Sequence, residues 1–279
     1  MNVSECKVTI VGLGLIGGSI ALGLVGKVAE VRGVDISEEI LDSARKRQMA
    51  DVLSISPEET IPYSDVVIVA LYPKMTEQFI IKHRDLFTPG TIVIDVSSIK
   101  SHIVSKLQNI MPEGVEFLGT HPMAGREGRG IDKAREEMFL GSYYLLTPTE
   151  KNSERAVKLL GSLMELLGVR KIVSLSPTEH DALVSYTSQM PHVLASLLMN
   201  GFTESSKFLI GGSFKDATRV ATINEDLWTE LFIENKEHLL EEMDQFEKRW
   251  FVLKEAISEG NEKQIYRILK QAKELKEKI

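Results

Sequence analysis

Cysteine is almost missing from this 279-residue sequence. Cys6 stands alone, so neither an internal disulfide nor a cysteine-based zinc site can form. Such a chain reads most simply as intracellular, in the reducing cytoplasm. Proline and glycine are too sparse, at 9 and 20 residues, for a collagen-like or Pro/Gly-rich repeat. Positive charge is in the minority: 33 Lys and Arg against 40 Asp and Glu give a net charge of −7. That balance argues against general binding to nucleic acid or to an anionic membrane. There is no internal repeat and no low-complexity segment. What is present, 43% hydrophobic and 26% charged residues, is ordinary for a soluble globular chain of one large domain or two smaller ones.

Long uncharged runs are also scarce. The one that stands out spans 19 residues, 8–26, between Lys7 and Lys27. Its length could suit a membrane helix or a signal-peptide core. Six of its residues are glycine, however, and two of them, Gly12 and Gly14, follow at once on the β-rich Val8-Thr9-Ile10-Val11. A strand, a glycine turn and a buried helix explain the run better.

The first 175 residues alternate strand and helix signals. Strands are expected at 7–11, 30–35, 65–71, 91–96, 115–119, 142–146 and 170–175, with helices such as 37–47 and 154–167 between them. Near-continuous apolar runs such as Val66-Val67-Ile68-Val69-Ala70 suit strands covered on both faces. The rhythm predicts an α/β fold: a Rossmann-type dinucleotide-binding domain over 1–175. At Ser176-Pro177-Thr178-Glu179 a capping box opens a helical domain, expected over 176–279, with breaks at Pro191, Gly211-Gly212 and Gly260-Asn261. Its stripe Leu239, Met243, Phe246, Trp250, Leu253 and Ile257 fits either packing within the domain or a subunit interface.

Gly12-Leu13-Gly14-Leu15-Ile16-Gly17 leaves a strand and opens a helix, and Asp35 ends the next strand 18 residues after Gly17. This is the setting in which a GxGxxG carries meaning. Gly12 allows the tight turn, Gly14 the close approach of a pyrophosphate, and Gly17 the contact of helix with strand. Gly12, Gly14, Leu15, Ile16, Gly17 and Asp35 are therefore the candidate cofactor-binding residues. Asp35 would accept hydrogen bonds from ribose hydroxyls. Ile36-Ser37-Glu38 offers no arginine for a 2′-phosphate, which favours NAD over NADP.

Three further segments can carry chemistry. Asp95-Val96-Ser97-Ser98-Ile99-Lys100 sits at a strand's C-terminal end, where open α/β sheets bind ligands, although its serines could equally cap the next helix. His121, in a glycine-rich stretch leaving another strand, has a titration range suited to a general base or could be a turn histidine. Gly211 to Arg219 brings Lys215 and Arg219 into a helix start that could grip a carboxylate or simply face solvent.

Taken together, these segments resemble the prephenate dehydrogenase family of tyrosine biosynthesis. The residues that carry the match are 12–19, Ser98-Ile99-Lys100, His121-Pro122-Met123-Ala124-Gly125 with Glu127, His180-Asp181, Pro191-His192, and Phe214-Lys215-Asp216 with Thr218-Arg219. The resemblance implies oxidation and decarboxylation of prephenate, or alternatively of its amino counterpart arogenate, by a homodimer using NAD and no metal. It implies His121 as the acceptor of the hydrogen bond or proton of the ring hydroxyl, with Ser98 orienting His121 and the nicotinamide. Arg219 would hold a substrate carboxylate, with His192 and Ser188 nearer the side chain. Glu127 and Asp216 would line the cleft between domains. Arg126 and Gln189 depart from the family's usual residues, which bears on side-chain specificity. The 279 residues imply no fused mutase or C-terminal regulatory domain of the kind some relatives carry. A β-hydroxyacid dehydrogenase would want a lysine on the first long helix of the second domain, and residues 177–199 contain none.

Overall fold

The uncharged run resolves as a strand, a turn and a helix in the computed structural model, which describes residues 2–124 and 128–279. Strand β1 (Lys7–Val11) leads into α1 (Leu15–Leu24), and β2 (Glu30–Val34) into α2 (Glu38–Lys46). Then come β3 (Val52–Ser54), β4 (Val66–Val69), α3 (Pro73–His83), β5 (Ile92–Asp95) and α4 (Ser101–Gln108). The unit closes with β6 (Glu116–Met123), β7 (Tyr143–Thr147), α5 (Glu154–Glu165) and β8 (Lys171–Ser174). The eight strands form one sheet in the order β3-β2-β1-β4-β5-β6-β7-β8. The first six are parallel, the order of a dinucleotide-binding sheet. Strand β7 runs antiparallel to β6, and β8 parallel to β7.

The strand sequences explain the two cores. Val8, Ile10, Val66, Ile68, Ile92 and Ile94 point to one face, under α1, α2 and α5. Val11, Val67, Val69, Val93 and Phe117 point to the other, under α3 and α4. A side-chain period of two thus splits each all-apolar run between two layers.

Two expectations are corrected here. The three-residue β3 is too short to carry a periodic signal and was not among the expected strands. The strand expected to end at Gly119 runs on to Met123, so His121 lies within β6 and not in a loop after it. Beyond Leu118 the strand has passed the end of β5 and pairs with β7 alone. That free edge is where a strand tolerates Pro122.

After Ser174 the chain is helical. Ser176 caps α6 (Pro177–Val184) with the expected box: its side chain accepts from Glu179 N–H while Glu179 reaches back. The expected break at Pro191 does not occur. A π-helical turn (Ser185–Gln189) absorbs the proline and passes directly into α7 (Met190–Asn200). Helices α8 (Gly212–Thr218), α9 (Glu225–Glu234), α10 (Lys236–Ser258) and α11 (Glu262–Lys276) follow. Among the described residues, no helix is long and apolar enough to cross a membrane.

Candidate active site

The glycine turn is shaped by contacts that a Cβ would break. Gly12 has φ +87°, and a Cβ there would sit 2.8 Å from the Ala70 carbonyl oxygen. At Gly17 it would sit 1.9 Å from the Gly12 carbonyl oxygen. These two glycines therefore serve the protein's own packing. Gly14 differs: a Cβ there would meet nothing within 4 Å. It precedes α1 as an N-cap without a side-chain cap, and Leu15 and Ile16 form the half-exposed first turn. Open space before uncapped helix amides fits a pyrophosphate. Asp35 braces the same turn, accepting from Leu13 N–H at 2.9 Å and Ser37 N–H at 3.0 Å.

The second part of the site lies past the C-terminal end of β5. Asp95, wholly buried, accepts from Thr120 N–H at 3.1 Å, from Ser97 N–H at 3.1 Å, from the Ser97 hydroxyl and from the ammonium of Lys100, which is itself 0% exposed. Burial drives the Lys100 pKa down, opposed by its pairing with Asp95. This cluster ties the end of β5 to the strand that carries His121.

His121 Nδ1 lies 2.9 Å from His180 Nε2, the rings meeting edge to face. His180 Nδ1 lies 2.8 Å from Asp181 Oδ1. Asp181 also accepts from the backbone N–H groups of Lys100 at 2.8 Å and Ser101 at 2.7 Å. Helix α4 has no side-chain cap of its own, so a carboxylate from the helical domain caps it. Enclosure of the imidazole, then the neighbouring His180 and Lys100, hold the His121 pKa well below 6.5. His180 is lowered too, by burial that its bond to Asp181 only partly offsets. Burial opposes ionisation of Asp181, yet the bonds from His180 and Ser101 keep its pKa below the ordinary carboxylate value.

Among the described residues no hydrogen bond joins Ser98 to His121. Ser98 is half-buried between β5 and α4, and the group that holds His121 is His180. His180-Asp181 belongs to the sequence motifs of the family resemblance, and its task becomes visible only in the fold. A histidine followed by an aspartate one turn into a capped helix was the available signal.

The third part is built on the π turn. His192 Nδ1 donates to the Ser188 carbonyl at 2.8 Å, and its ring stacks on Trp228 of α9 at 3.6 Å between centroids. Trp228 was not among the expected site residues, and no sequence pattern marked it. Burial lowers the His192 pKa, the Ser188 carbonyl opposes this, and the Arg219 cation adds to the lowering. Arg219 and His192 are thus within electrostatic reach. Asp216 is exposed on α8. Glu127 and Arg126 lie outside the described residues. Gln189 is 1% exposed and bonds the Leu231 carbonyl at 3.1 Å and Asn235 at 2.8 Å, so it stitches helices together and does not line a pocket.

Both halves of the chain match known proteins. Residues 20–173 match the prephenate dehydrogenase nucleotide-binding domain, and residues 176–271 match the prephenate dehydrogenase dimerization domain. Prephenate dehydrogenase of Bacillus subtilis is 30% identical over 99% of this chain and 77% of its own. Cyclohexadienyl dehydrogenase of Zymomonas mobilis is 29% identical over 86% of this chain and 84% of its own. The crystal structure of prephenate dehydrogenase from Aquifex aeolicus, in complex with hydroxyphenyl propionate and NAD+, superposes with a TM-score of 0.90 at 29% identity, covering 100% of this chain and 99% of that one. Arogenate dehydrogenase of Synechocystis gives 0.86 at 28% identity, with 98% and 99% covered. The nucleotide-binding half and the helical half both match along nearly the whole length, and this oxidoreductase belongs to the prephenate dehydrogenase family.

Proposed function

We propose that this protein oxidises prephenate with NAD+, releasing carbon dioxide and 4-hydroxyphenylpyruvate. The observation that carries the reading is the placement of His121 at the sheet's C-terminal end, held through Nδ1 by His180. The chemistry NAD+ supplies when bound is acceptance of a hydride from C4. As the hydride leaves C4, the C1–carboxylate bond breaks and its electron pair moves into the ring, which becomes a phenol. The hydroxyl proton remains on the product, so no net proton is released. The chain's task is to accept the hydroxyl hydrogen bond while positive charge builds at C4, and His121 is the group placed for it. Gly14 and the first turn of α1 would hold the pyrophosphate, and Asp35 the ribose. The relatives include a cyclohexadienyl and an arogenate dehydrogenase, so arogenate is the second substrate to be tested.

The deciding experiment offers purified protein prephenate or arogenate, each with NAD or NADP. The expected result is turnover of prephenate with the higher kcat/KM for NAD. Turnover of arogenate alone would reverse the substrate assignment, and a preference for NADP would reverse the reading of Asp35.

Prephenate carries two carboxylates, and a protein of net charge −7 must meet them with local cations. Arg219 is exposed at the end of α8, in the turn packed on α7, beside His192. A guanidinium grips a carboxylate through two parallel bonds, which an ammonium does not. Arg219→Ala should raise KM for prephenate about ten- to a hundred-fold, as expected for about 1.5–3 kcal/mol of charged hydrogen bonding. Arg219→Lys should also raise it, although the charge is kept. KM for NAD should hardly change. An unchanged prephenate KM would make Arg219 a solvated helix charge and turn attention to Lys215, Arg126 or Arg129.

The reading includes a two-fold homodimer, the commonest closed assembly. In the stripe of α10, Leu239 is 5% exposed and packs within its own domain, whereas Trp250 and Ile257 are 60% and 61% exposed. Leu239 serves the fold, whereas Met243, Trp250 and Ile257 are exposed on the same stripe, where a second copy would meet them.

A further inference from the structure

The hydrogen bonds around His180 constrain which nitrogen of His121 carries the proton. Asp181 sits at one end. Two of its bonds come from backbone N–H groups, those of Lys100 and Ser101, which can only donate. An ionised carboxylate is an acceptor at both oxygens, so the contact at 2.8 Å from Asp181 Oδ1 requires His180 to carry its proton on Nδ1. A neutral imidazole with Nδ1 protonated offers only a lone pair at Nε2. The contact at 2.9 Å between that atom and His121 Nδ1 then requires His121 to be the donor. His121 is left with an unprotonated Nε2.

We infer that Asp181 and His180 are positioning residues that fix His121 in the tautomer protonated at Nδ1, leaving Nε2 as an acceptor for the substrate hydroxyl. The inference rests on the reading of His121 given above. An unconstrained histidine favours the opposite tautomer, protonated at Nε2, which would present a donor to that hydroxyl. Burial first, and then the Lys100 cation at the start of α4, disfavour a second proton on either ring. Asp95, which pairs with Lys100, and Asp181 are the anions nearby.

The relay also crosses the domain boundary. His121 stands on β6 of the nucleotide-binding sheet, while His180 and Asp181 stand on α6. The carboxylate that sets the tautomer is the one that caps α4, so the acceptor at Nε2 exists only while the two domains are docked. Within the helical domain Asn235 steadies the backbone that carries this carboxylate, donating to the Asp181 carbonyl at 3.0 Å and the Gln189 side chain at 2.8 Å.

The test has two arms. Imidazole nitrogen NMR of the full-length protein at neutral pH, without substrate, reads the tautomers directly. Signals are assigned by their loss in His121→Asn and His180→Gln. Both rings should show a protonated Nδ1 and a bare Nε2; a protonated Nε2 at His121 overturns the inference. The second arm compares His180→Leu, which removes the acceptor, with His180→Gln, whose amide oxygen can replace it. Groups that orient a metal-bound histidine are typically worth about ten- to a hundred-fold in affinity or activity, and the same order is expected of the group that orients His121. His180→Leu should lose that much in kcat with KM for prephenate little changed, and His180→Gln should recover part of it. Unchanged kcat in His180→Leu, or equal losses in both variants, overturns the inference. The NMR arm requires no turnover. Failure of the wild-type protein to oxidise prephenate would therefore count against the proposed function and leave the tautomer assignment standing.

Discussion

His121→Asn is expected to leave NAD binding intact and to lower kcat by roughly 10²–10⁴, the range for removing a positioned acid–base group. Asparagine can occupy the space and accept a hydrogen bond, but it lacks the basicity to follow the charge that builds on the hydroxyl. In the wild-type protein kcat should rise with pH as His121 loses its proton. Enclosure of the ring, His180 and Lys100 all depress that pKa, so the rise should lie on the acid side of the ordinary histidine range, with kcat flat through neutrality. The acid limb should vanish in His121→Asn. Stopped-time assays with saturating NAD across acidic pH check both points, and an unchanged kcat in the variant would remove His121 from the chemistry.

Lys100→Met should cause the largest loss of stability. Lys100 and Asp95 are both 0% exposed, and the ammonium is the only counter-charge the structure places on that carboxylate among the described residues. Removing one partner of a buried pair costs about 3–5 kcal/mol, because the other charge is stranded. At about 2–4 °C per kcal/mol for a chain of this size, the melting midpoint should fall by roughly 6–20 °C. Adding Asp95→Asn should restore part of the loss, since no charge is left behind, although the one amide oxygen can accept from Thr120 N–H or from Ser97 N–H and not from both. Calorimetry on the two variants decides it; equal midpoints in wild type and Lys100→Met would mean that the pair is compensated elsewhere. The single variant carries a second signature. Without the cation the His121 pKa rises, so the acid limb of kcat should move to higher pH.

Much of this was written in the sequence. Gly12, Gly14 and Gly17 after an apolar strand, and Asp35 at the end of the next, suffice for a nucleotide fold, because backbone sterics and burial pattern are local. The capping box at Ser176 marked the second domain for the same reason. The site was less legible where it depends on contacts across the chain. His121 and His180 are 59 residues apart, and no spacing rule joins them. Trp228 reaches His192 only because α9 packs beside α7. Gln189 looked like a change in the pocket, but its polar amide is consumed by Leu231 and Asn235 in the helical core. Pro191 looked like a break because proline lacks an amide donor. The chain met that lack with a wider turn and stayed helical.

That wider turn gives the segment an unusual response to changes in length. A π turn accommodates one residue more than the α-helix around it. Deleting one residue between Ser185 and Gln189 would therefore draw the turn back to ordinary α-helical spacing and leave the faces of α6 and α7 in register. Pro191 would then stand inside a regular helix, its ring against the carbonyl four residues before it and no amide to offer that carbonyl. The same deletion within α6, where no wide turn can give up a residue, would swing His192 by about 100° relative to His180, because each residue advances a helix by that angle. A one-residue gap at the π turn of a related sequence should therefore accompany loss of the proline, whereas a gap in α6 would mark a change in what is bound.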